Sequence, residues 1–320
     1  MDNKLLLIHL MQGQCFKNMI TAMRVLKNKI IVTGIFLILW QIVLSQKDEQ
    51  VQVLRLNSNN TSFPDSAREH GYTYDSIFYS VSEHYKDNSV LLIIPGHLNR
   101  KGKIDLIFWF HGWNNNIDTA MKFYEIEKQF IASKRNAILV MAETAKNAPD
   151  SYGGKLENPG VFKALVTDIM ATLKKHGIVN QKSGPGNIVL AGHSGAFRII
   201  AFILEKGNTT VEEVYLFDAL YSQTDKFMSW IQQDKKHHFV NWYTNHGGGT
   251  DEMSIKMMHQ LTDDSLSYTL LEEPSLNPTN VKATRVLFVH SMREHNVIIN
   301  RPDNLKLLLE NSFVLKPVLK

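Results

Sequence analysis

The sequence of 320 residues predicts an α/β protein, with a mostly parallel central sheet, helices on both faces and antiparallel lead-in strands. Three observations carry this reading. From about residue 105 to residue 309, strand-like runs alternate with helical ones, the order that builds a parallel sheet. The runs at 106–110 and 137–141 are apolar throughout rather than alternating, as expected of strands covered on both faces. Finally, Ile188-Val189-Leu190-Ala191 leads straight into Gly192-His193-Ser194-Gly195-Ala196 and then into a helical pattern. That strand–turn–helix places a serine between small residues at the tip of a strand, where larger side chains would collide with their neighbours.

The segment ahead of this body reads as a leader. Arg24, Lys27 and Lys29 form a basic stretch, residues 30–44 are largely apolar, and Ser45 is a small residue at a cleavage site before Gln46-Lys47-Asp48. About fifteen apolar residues is short for a spanning helix, which needs roughly 20. The expectation is a cleaved signal peptide over 1–45, or a retained N-terminal anchor; either sends the body to a secreted or extracytoplasmic location. Met23 stands where an initiator would, so residues 1–22 read as an over-extended start. Cys15, the one cysteine, lies upstream of the leader, which excludes a disulfide or thiolate chemistry in the mature chain. Five of the 35 basic side chains and one of the 31 acidic ones precede Gln46, so the body carries 30 of each. This balance offers nothing to nucleic acid, and membrane contact is expected only if the N-terminal segment is retained. Asn60-Thr61-Ser62 and Asn208-Thr209-Thr210 are glycosylation sequons, meaningful only in a host that uses them.

Taken in order, residues 77–81 and 90–95 read as antiparallel lead-in strands, and 106–110 as the first parallel strand. A helix is expected over 117–131, with Ala120, Phe123, Ile126 and Phe130 on one side. Next come a strand at 137–141 and a loop at 143–159 rich in Asn, Gly and Pro. Phe162, Leu165, Val166, Ile169, Met170 and Leu173 then mark one face of a helix. After the serine turn, strands are expected at 214–217, 239–243 and 285–289, with helices near 224–233, 251–261 and 303–309. No repeat or linker divides residues 46–320, which read as one domain.

A serine needs a general base, a group to orient that base, and donors for the developing oxyanion. Phe110-His111-Gly112-Trp113-Asn114, at the end of the first parallel strand, is the candidate turn for one donor, the Trp113 N–H; the Gly195 N–H supplies the other. Two histidines follow the last strand. His295 sits in the loop before the C-terminal helix and is preferred as base; His290 directly continues the strand. For the acid, Asp218 closes the run Val214-Tyr215-Leu216-Phe217, a costly place for a carboxylate without partners. Asp251, after the next strand, is the alternative acid. The glycines at 247–249 read as a turn beside the site. His237-His238 has no third ligand at suitable spacing and reads as the start of a strand, so no metal is expected. The loops at 143–159 and 244–250 are the expected pocket walls. Trp113, Tyr152 and Tyr221 are candidate lining residues, while Trp109 fits the core.

Together His111-Gly112-Trp113, Gly192-His193-Ser194-Gly195, a strand-end aspartate and a late histidine resemble the α/β-hydrolase superfamily, from about residue 91 to the C-terminus. The resemblance implies the α/β-hydrolase fold. It also implies Ser194 as nucleophile, His295 as base and then acid, Asp218 (or Asp251) as orienting acid, and Trp113 and Gly195 as oxyanion donors. Ala196 departs from the usual glycine of the turn. No cofactor is implied, and the partner is a small-molecule or acylated substrate. The expectation is an exported serine hydrolase acting on a carboxylic ester. The alternatives are a peptidase or amidase on the same triad, or an exported binding protein without catalysis.

Overall fold

The computed structural model describes residues 50–246 and 248–318. The leader and Cys15 lie outside them, as does Gly247 of the glycine run. The strands are β1 (Gln52–Asn57), β2 (Tyr72–Tyr74), β3 (Ile77–Tyr79), β4 (Ser89–Ile94), β5 (Lys103–Phe110), β6 (Ala137–Ala142), β7 (Gly184–His193), β8 (Glu213–Phe217), β9 (His238–Thr244), β10 (Thr269–Glu272) and β11 (Val286–Ser291). The helices are α1 (Val81–His84), α2 (Ile117–Phe123), α3 (Ile126–Ala132), α4 (Val161–Lys175), α5 (Phe197–Lys206), α6 (Thr224–Gln233), α7 (Thr250–Asp263), α8 (Pro278–Ala283) and α9 (Asn304–Glu310). Among the described residues, no helix is long and apolar enough to cross a membrane.

The main sheet runs β1-β4-β6-β5-β7-β8-β9-β11-β10. β1 pairs antiparallel with β4, and β4 with β6; every other pairing is parallel. Every residue of β4, β6, β8 and β9 is buried, which explains the apolar runs. Alternate side chains divide between two cores. Phe108, Leu190 and Leu216 meet Ile169 of α4, Ile200 of α5, Phe227 of α6 and Met257 of α7 on one face. On the other, Trp109, Ala191, Phe217 and Trp242 meet Phe130 of α3 and Leu305 and Leu309 of α9.

The chain leaves β5 for β6 on one side, then crosses back to β7 on the other. The carboxyl ends of β5 and β7 therefore flank a switch in strand order, where the helices diverge to opposite faces and a crevice opens. The Gly112 turn and Ser194 follow these two strand ends.

Two local expectations differ from what is found. The helix over 117–131 is two helices, broken at Glu125 with φ of 51°. Its buried apolar residues are Ile117, Ala120 and Tyr124, then Ile126 and Phe130, whereas Phe123 is exposed. The break turns the Tyr124 phenol inward and re-aims the next turn at the sheet. Second, residues 77–79 do not lead into the main sheet. They pair with β2 in a separate hairpin, turned by Asp75 and Ser76, both left-handed, as a two-residue hairpin turn requires. The antiparallel lead-in is β1 and β4.

Candidate active site

β7 ends at His193, and Ser194 takes φ of 54° before a 3-10 turn (Ser194–Ala196) that runs into α5. A side chain in the left-handed region persists only when its surroundings fix it. They do so through closeness. A Cβ added to Gly192 would lie 2.6 Å from Ala196 Cβ and 3.2 Å from Phe110 O. One added to Gly195 would lie 2.5 Å from Trp113 Cδ1. Alanine at 196 is thus accommodated because residue 192 is a glycine.

Asp218 follows β8 with φ of 46° and is fully buried. Its Oδ1 accepts from Thr244 N at 3.0 Å and from the Thr250 hydroxyl. Its Oδ2 accepts from the Thr244 hydroxyl at 3.0 Å and lies 2.6 Å from His295 Nδ1. Burial works to raise this carboxyl, but the bonds from His295 and Thr250, the His295 charge and the Thr244 N–H hold it below its ordinary value. Of the two candidate acids, the structure brings Asp218 to His295; Asp251 lies in the first turn of α7. His290 sits in β11, with Nδ1 2.8 Å from Glu272 and Nε2 2.9 Å from Asn245.

The Gly112 turn packs onto the serine. A Cβ on Gly112 would be 2.6 Å from Ser194 Cβ, 2.9 Å from His193 O and 3.2 Å from Gly195 N. The turn is tied down from behind by His111, with Nδ1 2.7 Å from Gly112 O and Nε2 2.6 Å from the buried Glu143 carboxylate. Glu143 also accepts from Ile117 N at 3.3 Å. Fixing the Gly112 carbonyl fixes the peptide plane that carries the Trp113 N–H. The Trp113 ring donates to Ser151 Oγ at 2.6 Å. His237 and His238 are engaged elsewhere: His237 Nδ1 lies 2.6 Å from Trp230 O, and His238 Nδ1 3.4 Å from Glu213.

His193 is a part of the site that the sequence did not disclose. Its Nε2 donates to the His295 carbonyl at 3.0 Å, and its Nδ1 receives the Tyr124 hydroxyl at 3.1 Å. Its ring lies 4.3 Å from that of His295. Tyr124 also reaches Asn296 Oδ1 at 3.3 Å. Burial, then the His295 charge, lowers the His193 pKa from 6.5 to about 3. In the unfolded chain this ring protonates near pH 6.5, and in the native state only near 3. Between the two the unfolded state binds more protons, so stability is lost as the pH is lowered, by about 1.4 kcal/mol per unit. Urea unfolding should therefore show a smaller loss between pH 6.5 and 4.5 in His193→Gln than in wild type, by about 2–3 kcal/mol.

Beside Ser194 lies a cavity of about 630 Å³, reached by Trp113, Tyr152, Phe197 and Tyr221. Pro149 to Tyr152 and Gly248 come from the two loops expected as walls; Arg68 and Tyr72 come from a segment that was not expected to contribute. Burial, then the Asp218 charge, pushes the Tyr221 phenol up to about 12, and a hydrogen bond to Ser194 acts in the opposite direction. Trp109 is buried in the core.

No family model and no curated protein sequence matches the chain. Solved structures do resemble it in fold. A ferulic acid esterase shares 11% identity at a TM-score of 0.53, covering 82% of this chain and 98% of that one. A mutant of the feruloyl esterase module from Clostridium thermocellum, complexed with sinapinate, shares 10% at 0.50, covering 82% and 88%. FphF, a fluorophosphonate-binding serine hydrolase of Staphylococcus aureus, shares 10% at 0.49, covering 82% and 98%.

Proposed function

We propose that this chain, which has the α/β-hydrolase fold, is an exported serine hydrolase that cleaves carboxylic esters through an acyl-enzyme. The observation that carries the reading is the Asp218–His295 pair at 2.6 Å, set beside a serine held left-handed at the next strand end. With Nδ1 committed to Asp218, Nε2 is the nitrogen left to take the Ser194 proton. Ser194 Oγ attacks the ester carbonyl, and the carbonyl oxygen becomes an oxyanion facing the N–H groups of Trp113 and Gly195. Collapse breaks the carbon–oxygen bond to the alcohol, which leaves with the proton from His295. Water then attacks the acyl-enzyme with His295 again as base, releasing the acid and restoring Ser194. The leader read at 1–45 supports action outside the cytoplasm on a small or acylated substrate. The test is residues 46–320 with p-nitrophenyl esters of graded chain length and a fluorophosphonate probe. Expected are turnover and a single covalent adduct on the peptide bearing Ser194; a folded protein that takes no label would overturn the reading.

A further inference from the structure

The cavity beside Ser194 is chemically mixed. Trp113, Phe197 and Tyr221 supply apolar lining, and Arg68 and Arg198 supply cationic lining. Both guanidinium groups pack on the Tyr152 ring, with Cζ 4.8 Å and 5.3 Å from its centroid. Each is held from behind. Arg198 Nε and Nη2 meet Glu157 at 2.7 and 2.9 Å, and Glu157 also accepts from Gly153 N at 2.8 Å. Arg68 Nε meets Asp150 at 2.7 Å, which in turn accepts from Tyr152 N at 2.9 Å.

The order of these layers matters. The Arg68 and Arg198 side chains are 18% and 38% exposed, against 5% and 9% for Asp150 and Glu157. The carboxylates are the backing and the cations are the face. Asp150 is the single acidic residue among those lining the cavity, against two arginines. Among the described residues, no acceptor meets Arg198 Nη1. A guanidinium pinned along one edge keeps its other N–H groups aimed, so an incoming anion does not have to order the side chain. Arg198 stands four residues after Ser194, at the start of α5, and both line the cavity.

We infer that the arginine wall selects esters carrying a carboxylate, on either the acyl or the alcohol part, a few atoms from the scissile carbonyl. The inference rests on the hydrolase reading above and deepens it by naming the substrate class. The carboxylate docks against Arg198 Nη1 in a charge-assisted hydrogen bond, with the Arg68 guanidinium adding positive charge nearby, while the remainder of the substrate lies along Trp113 and Tyr221 toward Ser194.

The experiment compares esters that differ only in that charge. On the acyl side, mono-p-nitrophenyl glutarate is set against the p-nitrophenyl ester of glutaric acid monoamide. On the alcohol side, 4-carboxyphenyl butyrate is set against 4-carbamoylphenyl butyrate. Each rate is normalised to the rate with hydroxide. The expected result is a kcat/KM at least tenfold higher for the carboxylate member of one series. The double variant Arg198→Gln with Glu157→Gln, which leaves no buried carboxylate without its partner, should bring that ratio close to one. Because the ratio is read on a single sample, loss of folded protein cancels. Ratios at or below one in both series, in a protein whose Ser194 takes the fluorophosphonate label, overturn the inference and leave the hydrolase reading standing. A wild type that neither labels nor turns over overturns the hydrolase reading. The wall is then decided by calorimetry with monomethyl glutarate against its neutral amide: preferential binding of the acid, lost in the double variant, supports it, and equal binding overturns it.

Discussion

Asp218→Asn is expected to lower kcat for p-nitrophenyl esters by about 10⁴, while Asp251→Asn stays within about twofold of wild type. The reason is a count of donors. Four meet the Asp218 carboxylate: Thr244 N, two threonine hydroxyls and His295 Nδ1. Only an ionised carboxylate, with both oxygens accepting, satisfies them all. An asparagine must turn its NH₂ toward one pair. Thr244 N is a donor only, which anchors the amide oxygen on the Oδ1 side and puts the NH₂ opposite His295. The imidazole then accepts at Nδ1 and carries its proton on Nε2, where it can no longer take one from Ser194. KM should change little, since Asp218 is fully buried. Asp251, by contrast, lies in the first turn of α7, where its charge complements the helix dipole for a few tenths of a kcal/mol. Steady-state kinetics on both variants decide the matter; equal losses would remove Asp218 from its assigned role.

Gly112→Ala is expected to cost about 10² to 10³ in kcat and about 1–3 kcal/mol in stability. Its added methyl would meet Ser194 Cβ, His193 O and Gly195 N at 2.6, 2.9 and 3.2 Å. None of these is the end of a flexible side chain, so the strand-end turn or the serine turn has to move. Such a shift moves the Trp113 N–H relative to the Gly195 N–H, and the pair works only while both aim at one point. Gly184→Ala is the control. It sits in β7 with nothing within 4 Å of an added Cβ, and should leave kcat unchanged. Kinetics and urea unfolding on the two variants separate the outcomes; a Gly112→Ala enzyme with wild-type kcat would mean the oxyanion forms elsewhere.

The inner sheet was legible because its chemistry is local. Strands buried on both faces are apolar over most of their length, as in residues 90–94 and Ala137–Ala142, and α4 buries the six residues its periodicity marks. The serine turn was legible because small residues must crowd there. The edges were not: β1 is largely exposed and β10 half so, and neither carries a distinguishing pattern. The break at Glu125 was hidden because 117–131 keeps a helical spacing of apolar residues across it. The supports of the site were hidden for another reason. Tyr124 meets His193 across 69 residues of chain, and His193 meets His295 across 102. The His111–Glu143 contact spans 32 residues, and Arg198–Glu157 spans 41. Partners so far apart leave no spacing to read. Asp218 was preferred over Asp251 from its place at a strand end, but the convergence of Thr244, Thr250 and His295 on its carboxylate left no spacing to read.

The left-handed backbone at Ser194 bears on how this protein can be improved. That conformation costs a serine about 1–3 kcal/mol, and glycine adopts it freely. A laboratory selection scored only on heat tolerance would reward Ser194→Gly, together with the loss of the proposed nucleophile. Scored on turnover, the same library would keep the serine and look for robustness elsewhere, at positions such as Gly184 where a methyl group has room. Thermal endurance and chemistry pull in opposite directions at this one residue, so variants recovered from a heat screen alone have to be sequenced at position 194 before their activity is compared.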